Sequence, residues 1–385
     1  MFLDLNEEQR LIRETAREFA AAELAPVAAA LDRGEQQELF FANLKKLAEL
    51  GFMGLNVATD YGGTEAGVIA FSVALTEIAK ACAATAVTVS VNNMVCEVIQ
   101  AVGSKEQRER YIPKICSGEF LAGAFALTET GAGSDPSAMT TSAVQDGDDW
   151  ILNGSKIFIT SAPYAGVFVV WAVTDRTAPK GKGISCFLVE AGTPGCLVGR
   201  AEEKMGQHAS ATNELLFQNC RIPASALMGG LNDGFRVAVA ELAGGRIGIG
   251  SLALGIGLAA MDAAARYALA RKQFGQSLSD FQSIQWKIAD ATTELEAARL
   301  LLMNAAFCKE QGKSYSREAS MAKLFATEAA NRVCYEALQI FGGYGYTAEF
   351  PVERYSRDVR ITTIYEGTSE IQRLIIARDV LRNYA

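Results

Sequence analysis

The 385-residue sequence predicts a mainly α-helical protein with a central β region, because its residue pattern changes twice along the chain. In the first third, apolar residues recur every three or four positions, as in amphipathic helices. Near Leu121, short apolar runs separated by turn residues replace that spacing, and such runs are typical of strands. The helical spacing returns at about Gly234. Strands and helices do not alternate, so a parallel sheet with crossover helices is not expected.

These changes predict an N-terminal helical domain (residues 1–120), a middle β domain (121–232) and a C-terminal helical domain (233–385). In the first domain, Asn6 and Gln9 have the spacing of a capping box at the start of a helix. Further helices are predicted over 38–50, 68–80, 93–102 and 106–115.

The middle domain is expected to contain short strands joined by tight turns. An Asn153-Gly154 turn between the runs 150–152 and 156–160 predicts a β-hairpin. Further strands are predicted over 167–173, 183–190 and 214–217. In the C-terminal domain, apolar residues from Phe281 to Leu302 are spaced three and four apart. This spacing predicts one long amphipathic helix that packs in a bundle or a subunit interface.

Composition excludes several classes of function. The net charge of −8 argues against a general affinity for nucleic acid or anionic membranes. Eight cysteines without a C-x-x-C pair, and a single histidine, make a metal site improbable. The same histidine, His208, lies in a polar stretch and is expected to be structural. The cysteines are expected to be reduced and buried, as in an intracellular protein.

No secretory signal is recognisable at the N-terminus, which predicts a cytoplasmic protein of bacterial type and leaves a mature mitochondrial matrix protein open. The uncharged run 247–261 is shorter than the roughly 20 residues that a membrane-spanning helix needs. We therefore expect a buried core helix there. Two G-x-G-x-x-A matches, beginning at Gly248 and Gly255, lie within this helical pattern and lack the preceding strand of a dinucleotide fingerprint.

Five other segments carry glycines, hydroxyls, aromatics or charges in unusual combinations. They are 127–135 (LTETGAGSD), 156–161 (KIFITS), 271–275 (RKQFG), 339–346 (QIFGGYGY) and 364–372 (IYEGTSEIQ). Each alone has an ordinary structural explanation, such as a polar turn, a core strand or a helix cap. The last segment places a carboxylate, Glu366, before a glycine and two hydroxyls, where a helix is expected to begin.

Taken together, in this order and at these intervals, the five segments resemble the acyl-CoA dehydrogenases, and the resemblance extends along essentially the whole chain. Within that family the sequence is most similar to the short-chain and branched-chain enzymes, as segments 151–156, 182–186 and 244–247 indicate. The resemblance implies a β-barrel-like middle domain and a four-helix bundle at the C-terminus. It also implies a homotetramer, a dimer of dimers, with FAD between domains and across a subunit interface.

The resemblance assigns roles to individual residues, with Glu366 as the catalytic base. The residues that match FAD contacts are Phe125, Leu127, Thr128, Phe158, Thr160, Arg271, Phe274, Gln282, Gln339, Gly342, Gly343, Thr368 and Glu370. The residues that match substrate-side positions are Ser134, Gly245, Arg246, Tyr365 and Gly367. Phe158 stands where the family often has tryptophan, and Thr130 where proline is more common. Some relatives carry the base at the position of Gly245, where glycine cannot act as one.

The implied reaction is α,β-dehydrogenation of a short or branched acyl-CoA to the trans-2-enoyl-CoA, with electrons passed to an electron-transfer flavoprotein. The alternatives are an acyl-CoA oxidase, a nitroalkane oxidase, another superfamily flavoenzyme acting on a cyclic or dicarboxylic acyl-CoA, and a non-catalytic scaffold. A nitroalkane oxidase is expected to carry aspartate at the base position. Gly244 and Gly245 remove bulk near the base, which suggests room for a branch or ring. The sequence does not fix the acyl group.

Overall fold

The computed structural model describes residues 4–384, and it confirms a mainly helical chain with a β domain in the middle. The N-terminal region contains α1 (Glu7–Phe19), α2 (Ala28–Asp32), α3 (Gln37–Glu49), α4 (Gly67–Ala81), α5 (Ala83–Val102) and α6 (Lys105–Cys116). Asn6 caps α1 as predicted, because its side chain accepts the Gln9 N–H at 2.8 Å while Gln9 reaches back to Asn6.

Helix α5 begins ten residues earlier than the sequence pattern indicated. Nine of its first ten residues are alanine, valine, threonine or serine, and all ten side chains are buried. A helix that is buried on every side has no polar face, so the amphipathic spacing used to predict helices is absent there.

The middle domain is one sheet of eight strands. They are β1 (Ala122–Ala126), β2 (Ser142–Asp146), β3 (Asp149–Thr160), β4 (Ala165–Val173), β5 (Ile184–Glu190), β6 (Cys196–Ala201), β7 (Thr212–Pro223) and β8 (Leu227–Met228). The order is β6-β7-β3-β2-β4-β5-β8, with β1 parallel to β4. A single residue pair, Ser142 with Val173, joins the half formed by β6, β7, β3 and β2 to the half formed by β4, β5, β8 and β1. Side chains from both halves, including Trp150, Phe168 and Phe217, form a common core.

The predicted hairpin at Asn153-Gly154 is wrong. Strand β3 runs straight through these residues, and Gly154 lies at an irregularity in its pairing with β7. A β-carbon on Gly154 would lie 2.6 Å from Thr141 Oγ1, so the glycine permits a close approach of two strands. The true hairpin turn is at Gly147-Asp148, where β2 meets β3.

The C-terminal region is helical. It contains α7 (Gly234–Ala270), a short ribbon of β9 (Lys272–Gln273) and β10 (Gln276–Ser277), α8 (Gln282–Glu310), α9 (Ser316–Phe341), α10 (Val352–Arg360) and α11 (Ser369–Leu381). Helix α8 confirms the long helix predicted from the apolar spacing. Helix α7 is apolar and long enough to cross a membrane, but 72% of its most apolar window is buried inside the protein. Both G-x-G-x-x-A matches lie within α7 and are helical.

The eight cysteines are free thiols, and six of them are buried. His208 is held between two carbonyl oxygens, with Nδ1 2.8 Å from Asp32 O and Nε2 2.7 Å from Lys204 O. Its ring therefore connects the N-terminal domain to the segment before β7.

Candidate active site

Glu366 lies in a short loop between α10 and α11, with a backbone that few non-glycine residues adopt. Its φ is +55° and that of Gly367 is +89°. Gln372 Nε2 donates to the carbonyls of Glu366 at 3.2 Å and Gly367 at 2.8 Å. Lys323 Nζ also donates to Gly367 O, at 2.6 Å. These bonds hold the loop in a strained conformation that directs the Glu366 side chain inward.

The Glu366 carboxylate is unusually poor in partners. Its Oε2 is buried and accepts no hydrogen bond from the residues of 4–384. A β-carbon on Gly245 would lie 2.8 Å from Oε2 and 3.0 Å from Met94 Sδ, so the carboxylate rests against the bare backbone of α7. Burial raises the Glu366 pKa to about 7, although the charges of Lys323 and Arg246 act in the opposite direction.

Arg246 and Lys323 are buried cations with few partners of their own. Arg246 makes only long hydrogen bonds, at 3.4 Å, to the hydroxyls of Ser316 and Ser320, and its Nε has no acceptor among the described residues. Burial lowers the pKa of Arg246 and brings that of Lys323 to about 8, and Glu366 opposes both shifts. The three groups form a partly compensated charge cluster.

Tyr365 and Thr368 anchor the two sides of the loop. Tyr365 Oη accepts a hydrogen bond from Gln207 Nε2 at 3.3 Å, and burial raises the tyrosine pKa. Gln207 N in turn donates to buried Asp358 at 2.5 Å, which ties the loop to the middle domain. Of the two hydroxyl residues that follow Glu366-Gly367, Thr368 caps α11, with its hydroxyl 3.4 Å from Ile371 N. Glu370 is exposed in the first turn of the same helix.

The predicted contacts in the middle domain lie at the ends of β1 and β3. The Phe125 ring packs on Trp171 with centroids 4.3 Å apart, while Leu127 and Thr128 continue from β1 into a loop. Ile157 N donates to Thr128 O at 2.9 Å, which joins this loop to β3. Phe158 has a φ of +58° and is 59% exposed despite its apolar ring. Thr160 ends β3, and Ser134 is exposed in the loop.

The remaining predicted contacts form a separate exposed surface at the far end of α7. The Arg271 guanidinium lies 5.5 Å from the centre of the Tyr344 ring, next to Gly342 and Gly343. Phe274 is 94% exposed. Gln282 and Gln339 are exposed at the start of α8 and near the end of α9. No hydrogen bond, ion pair or aromatic contact within 4–384 joins this surface to the Glu366 loop.

Family models and known proteins agree on what this arrangement is. Models of the N-terminal, middle and C-terminal domains of acyl-CoA dehydrogenase match residues 6–119, 124–220 and 232–381. Mouse mitochondrial short-chain specific acyl-CoA dehydrogenase is 47% identical over 99% of this chain and 92% of its own length.

Two solved structures share the fold over 99% of this chain and 100% of their own. Butyryl-CoA dehydrogenase from Megasphaera elsdenii is 40% identical with a TM-score of 0.95. A chain from a study of the electron transferring flavoprotein of Acidaminococcus fermentans is 43% identical with a TM-score of 0.96. The fold and site thus define a flavin-dependent oxidoreductase that acts on acyl thioesters. The chain belongs to the acyl-CoA dehydrogenase family.

FAD is the cofactor of this family, and the exposed groups fit it. A flat heteroaromatic ring with acceptor atoms along its edge suits the bare Phe158 ring, because Thr160 follows two residues on in β3 and Thr128 lies in the loop that is bonded to Ile157 N. At the far surface, Gly342 and Gly343 have open space where a β-carbon would stand, and Arg271 offers a cation beside them. Glycine backbone and arginine together suit a diphosphate. FAD held by these residues would supply the hydride acceptor.

Lys323 and Met94 lie beside Glu366, although neither residue was expected at the site from the sequence. The sequence around Lys323 does indicate that this residue is unusual. It is the one charged residue on the buried stripe of α9 that also carries Ala319, Ala322, Ala326 and Ala330. A lysine on an otherwise small and apolar face requires a buried partner. No sequence feature marks Met94 as part of the site, because methionine is an ordinary core residue.

Proposed function

We propose that Glu366 is the base that removes the α-proton of a short-chain acyl-CoA in an FAD-dependent α,β-dehydrogenation. The observation that carries the proposal is a buried carboxylate oxygen without a hydrogen-bond donor. Such an oxygen keeps its lone pairs available, and a pKa of about 7 makes the group a stronger base than an exposed glutamate. The products are the trans-2-enoyl-CoA and two electrons for an electron-transfer flavoprotein.

The chain's own residues would divide the work as follows. Glu366 would take the proton from Cα, and FAD would supply the acceptor for the hydride from Cβ, so that a C=C bond forms and the substrate loses two electrons. Lys323 and Gln372 keep the loop carbonyls turned away from the carboxylate. Arg246 and Lys323 keep enough of Glu366 ionised near neutral pH for proton removal. Substrate that closes the cleft removes water and raises the basicity further.

A short acyl group fits the packing on both sides of Gly245. Three residues further along α7, a β-carbon on Gly248 would overlap Ser90 Oγ and lie 3.3 Å from Phe71, so α5 and α7 are in contact there. In the other direction, about one turn before Gly245, Glu241 of α7 lies beside the ion pair of Glu97 and Lys309. The contact at Gly248 and the charged group at Glu241 each lie within about 6 Å of Gly245 along the helix axis, which limits the length of the acyl group.

The same features weigh against the alternatives. A dicarboxylic acyl group needs an available cation at its far end. On the Glu241 side of Gly245 the cation is Lys309, which is already paired with Glu97, whereas Arg246 and Lys323 belong to the charge cluster of Glu366 itself. A glutamate rather than an aspartate at position 366 opposes a nitroalkane oxidase. A scaffold without catalysis has no need for a buried carboxylate that lacks a donor, since such a group destabilises the fold.

A homotetramer with FAD shared between subunits is also part of the proposal. Gly245 in α7 and Arg271, directly after the end of α7, lie 26 positions apart, which corresponds to about 39 Å along the helix. One FAD molecule is too short to lie beside the base and also reach Arg271 of the same chain. Phe274 and Trp286, 94% and 63% exposed, are apolar side chains that a partner subunit would cover. The compartment, bacterial cytoplasm or mitochondrial matrix, remains a prediction.

The test is anaerobic bleaching of the bound flavin by straight, branched and dicarboxylic acyl-CoAs in wild type and Glu366→Gln. We expect rapid bleaching by butyryl-CoA, slower bleaching by longer chains, and a loss of at least about 100-fold in the variant. Retained FAD and an unchanged far-UV circular dichroism spectrum are the controls. Equal bleaching in both proteins would show that Glu366 is not the base. Fastest bleaching by a dicarboxylic substrate would overturn the acyl class alone.

A further inference from the structure

A buried ion pair lies beneath the loop that leads from β1 toward Ser134. Lys156 on β3 is completely buried, and its Nζ is 2.8 Å from Oε1 of Glu129, which is 6% exposed. None of the reaction steps above uses either residue. A buried ion pair seldom stabilises a fold better than well-packed apolar side chains of the same size. Its geometry therefore needs a separate explanation.

Glu129 is held entirely by the middle domain. Its Oε2 accepts from Thr140 N at 2.6 Å and from Thr140 Oγ1 at 2.8 Å, while Oε1 accepts from Thr141 N at 2.9 Å. Lys156 gives its second hydrogen bond to the backbone, because Nζ donates to Leu127 O at 3.1 Å. The carboxylate thus fixes the ammonium, and the ammonium fixes one peptide carbonyl.

That carbonyl sets the direction of a backbone donor. In a trans peptide the C=O of one residue and the N–H of the next point in opposite directions. With Leu127 O turned to Lys156, the Thr128 N–H points away from the ion pair, and no acceptor in residues 4–384 takes it. The next carbonyl, Thr128 O, is held by Ile157 N at 2.9 Å. Strand β3 therefore captures two successive carbonyls and leaves the intervening N–H free.

We propose that Lys156 is a positioning residue that aims the Thr128 N–H at an acceptor atom on the rim of the flavin ring. Glu129 holds the ammonium in place, and the pair acts on the cofactor only through the Leu127–Thr128 peptide. The inference rests on the proposed function in one respect, that FAD binds beside Phe158 and Thr160. It does not depend on Glu366 or on the substrate.

The experiment compares Lys156→Met with the double variant Lys156→Met/Glu129→Gln, and uses Arg221→Met as the matched control. Methionine keeps most of the lysine's length without its charge. In the double variant neither buried partner is charged, and the amide that replaces the carboxylate retains an oxygen for Thr140 or Thr141. Arg221 belongs to an exposed ion pair with Asp149, at 2.9 Å, in the same domain. For each protein, FAD is titrated into apoenzyme, and the visible spectrum and melting temperature are recorded.

We expect Lys156→Met to melt at lower temperature, because it leaves Glu129 as a buried unpaired charge. The double variant should recover most of that melting temperature. Its FAD dissociation constant should nevertheless stay at least about tenfold above wild type, the effect of losing one well-placed hydrogen bond to the cofactor, and its flavin absorption bands should remain shifted. Arg221→Met should match wild type in affinity and spectrum.

Recovery of both FAD affinity and spectrum in the double variant would overturn the proposal, since Lys156 would then serve only to neutralise Glu129. Unchanged affinity in Lys156→Met would overturn it as well. If the single variant does not fold, the double variant alone decides between the two outcomes. All readouts are made without substrate, so an error in the assignment of Glu366 leaves the result interpretable.

Discussion

Gly245 and Glu366 are 121 residues apart in the chain, yet a β-carbon added to Gly245 would lie only 2.8 Å from Glu366 Oε2. The bare backbone of α7 is thus one wall of the site around the carboxylate. Any side chain at position 245 must displace either the carboxylate or Met94, whose sulfur lies 3.0 Å from the same point.

Gly245→Ala is expected to slow flavin bleaching by roughly ten- to 100-fold, because a small shift of the base disturbs its alignment with the substrate. Without that contact, alanine would stabilise the helix by up to about 1 kcal/mol. Gly244→Ala is the matched control. Its added methyl group meets Lys309 Nζ at 2.9 Å, the far end of a flexible side chain that can move aside. Equal activity of the two variants would show that the bare backbone at Gly245 is not needed to position the Glu366 carboxylate.

The rate of flavin reduction should rise with pH and level off at about pH 7 or higher, because substrate that excludes water from the cleft raises the basicity of Glu366 further. Glu366 must be ionised to accept a proton, and its pKa in the folded protein is about 7. Stopped-flow bleaching at a saturating concentration of butyryl-CoA between pH 5.5 and 9 measures the profile. A rate that is already constant from about pH 5 would indicate an ordinary exposed carboxylate.

Lys323→Met should move that profile to higher pH. The ammonium lowers the Glu366 pKa, so its removal raises that pKa, and less base is ionised at pH 7. The shift is measured from the same stopped-flow series. A lower rate with an unmoved profile would mean that Lys323 acts only through its bond to Gly367 O, at 2.6 Å.

Glu366→Gln should melt at higher temperature than wild type above pH 7. The folded pKa of about 7 exceeds the unfolded value of about 4.5, so folding favours the protonated carboxylate. Its contribution is fully present below about pH 4.5 and is lost as the pH rises through 7. We expect the melting curves to differ by a few degrees at pH 8 and to converge at pH 4.5. A variant that is less stable at pH 8 would contradict this assignment.

Arg271→Ala should weaken FAD binding by at least about tenfold, since a charged contact to phosphate is lost. The binding constant comes from flavin titration of the apoprotein. Mixed with subunits of Phe158→Ala, this variant should form hybrid oligomers that regain some strong sites, if each FAD uses both surfaces from different chains. No recovery on mixing would place both surfaces on the same chain.

The sequence predicted several helices that have one buried face and one exposed face. Helix α8 was located from its spaced apolar residues, and a helix was expected to begin at the two hydroxyls after Glu366-Gly367, of which Thr368 is the cap. The first half of α5 was missed, because burial on all sides removes the polar face. The Asn153-Gly154 pair was taken for a turn, whereas Gly154 serves the close approach to Thr141.

The candidate site was predictable in its parts and not in its arrangement. Glu366 stood out as a carboxylate before a glycine and a helix cap. Its Oε2 lacks a hydrogen-bond donor from the described residues because it faces Gly245 and Met94, which come from two other helices. Likewise, Lys156 and Glu129 lay in two of the recognised segments, but only the fold shows that they meet beneath Leu127. Contacts between distant segments depend on packing, and residue spacing along the chain does not encode it.

The glycines of α7 face several neighbours in turn. Added methyl groups would press on Ser90 at Gly248, on Leu302 at Gly250, on Thr76 at Gly255 and on Leu295 at Gly257. These contacts come from α4, α5 and α8, so the helix can neither turn about its axis nor slide along it. An enzyme with this helix has little freedom to accept bulkier substrates by rearranging its framework. Variants with a new substrate range should therefore carry their changes in the side chains around Met94 and in the loops, with α7 left intact.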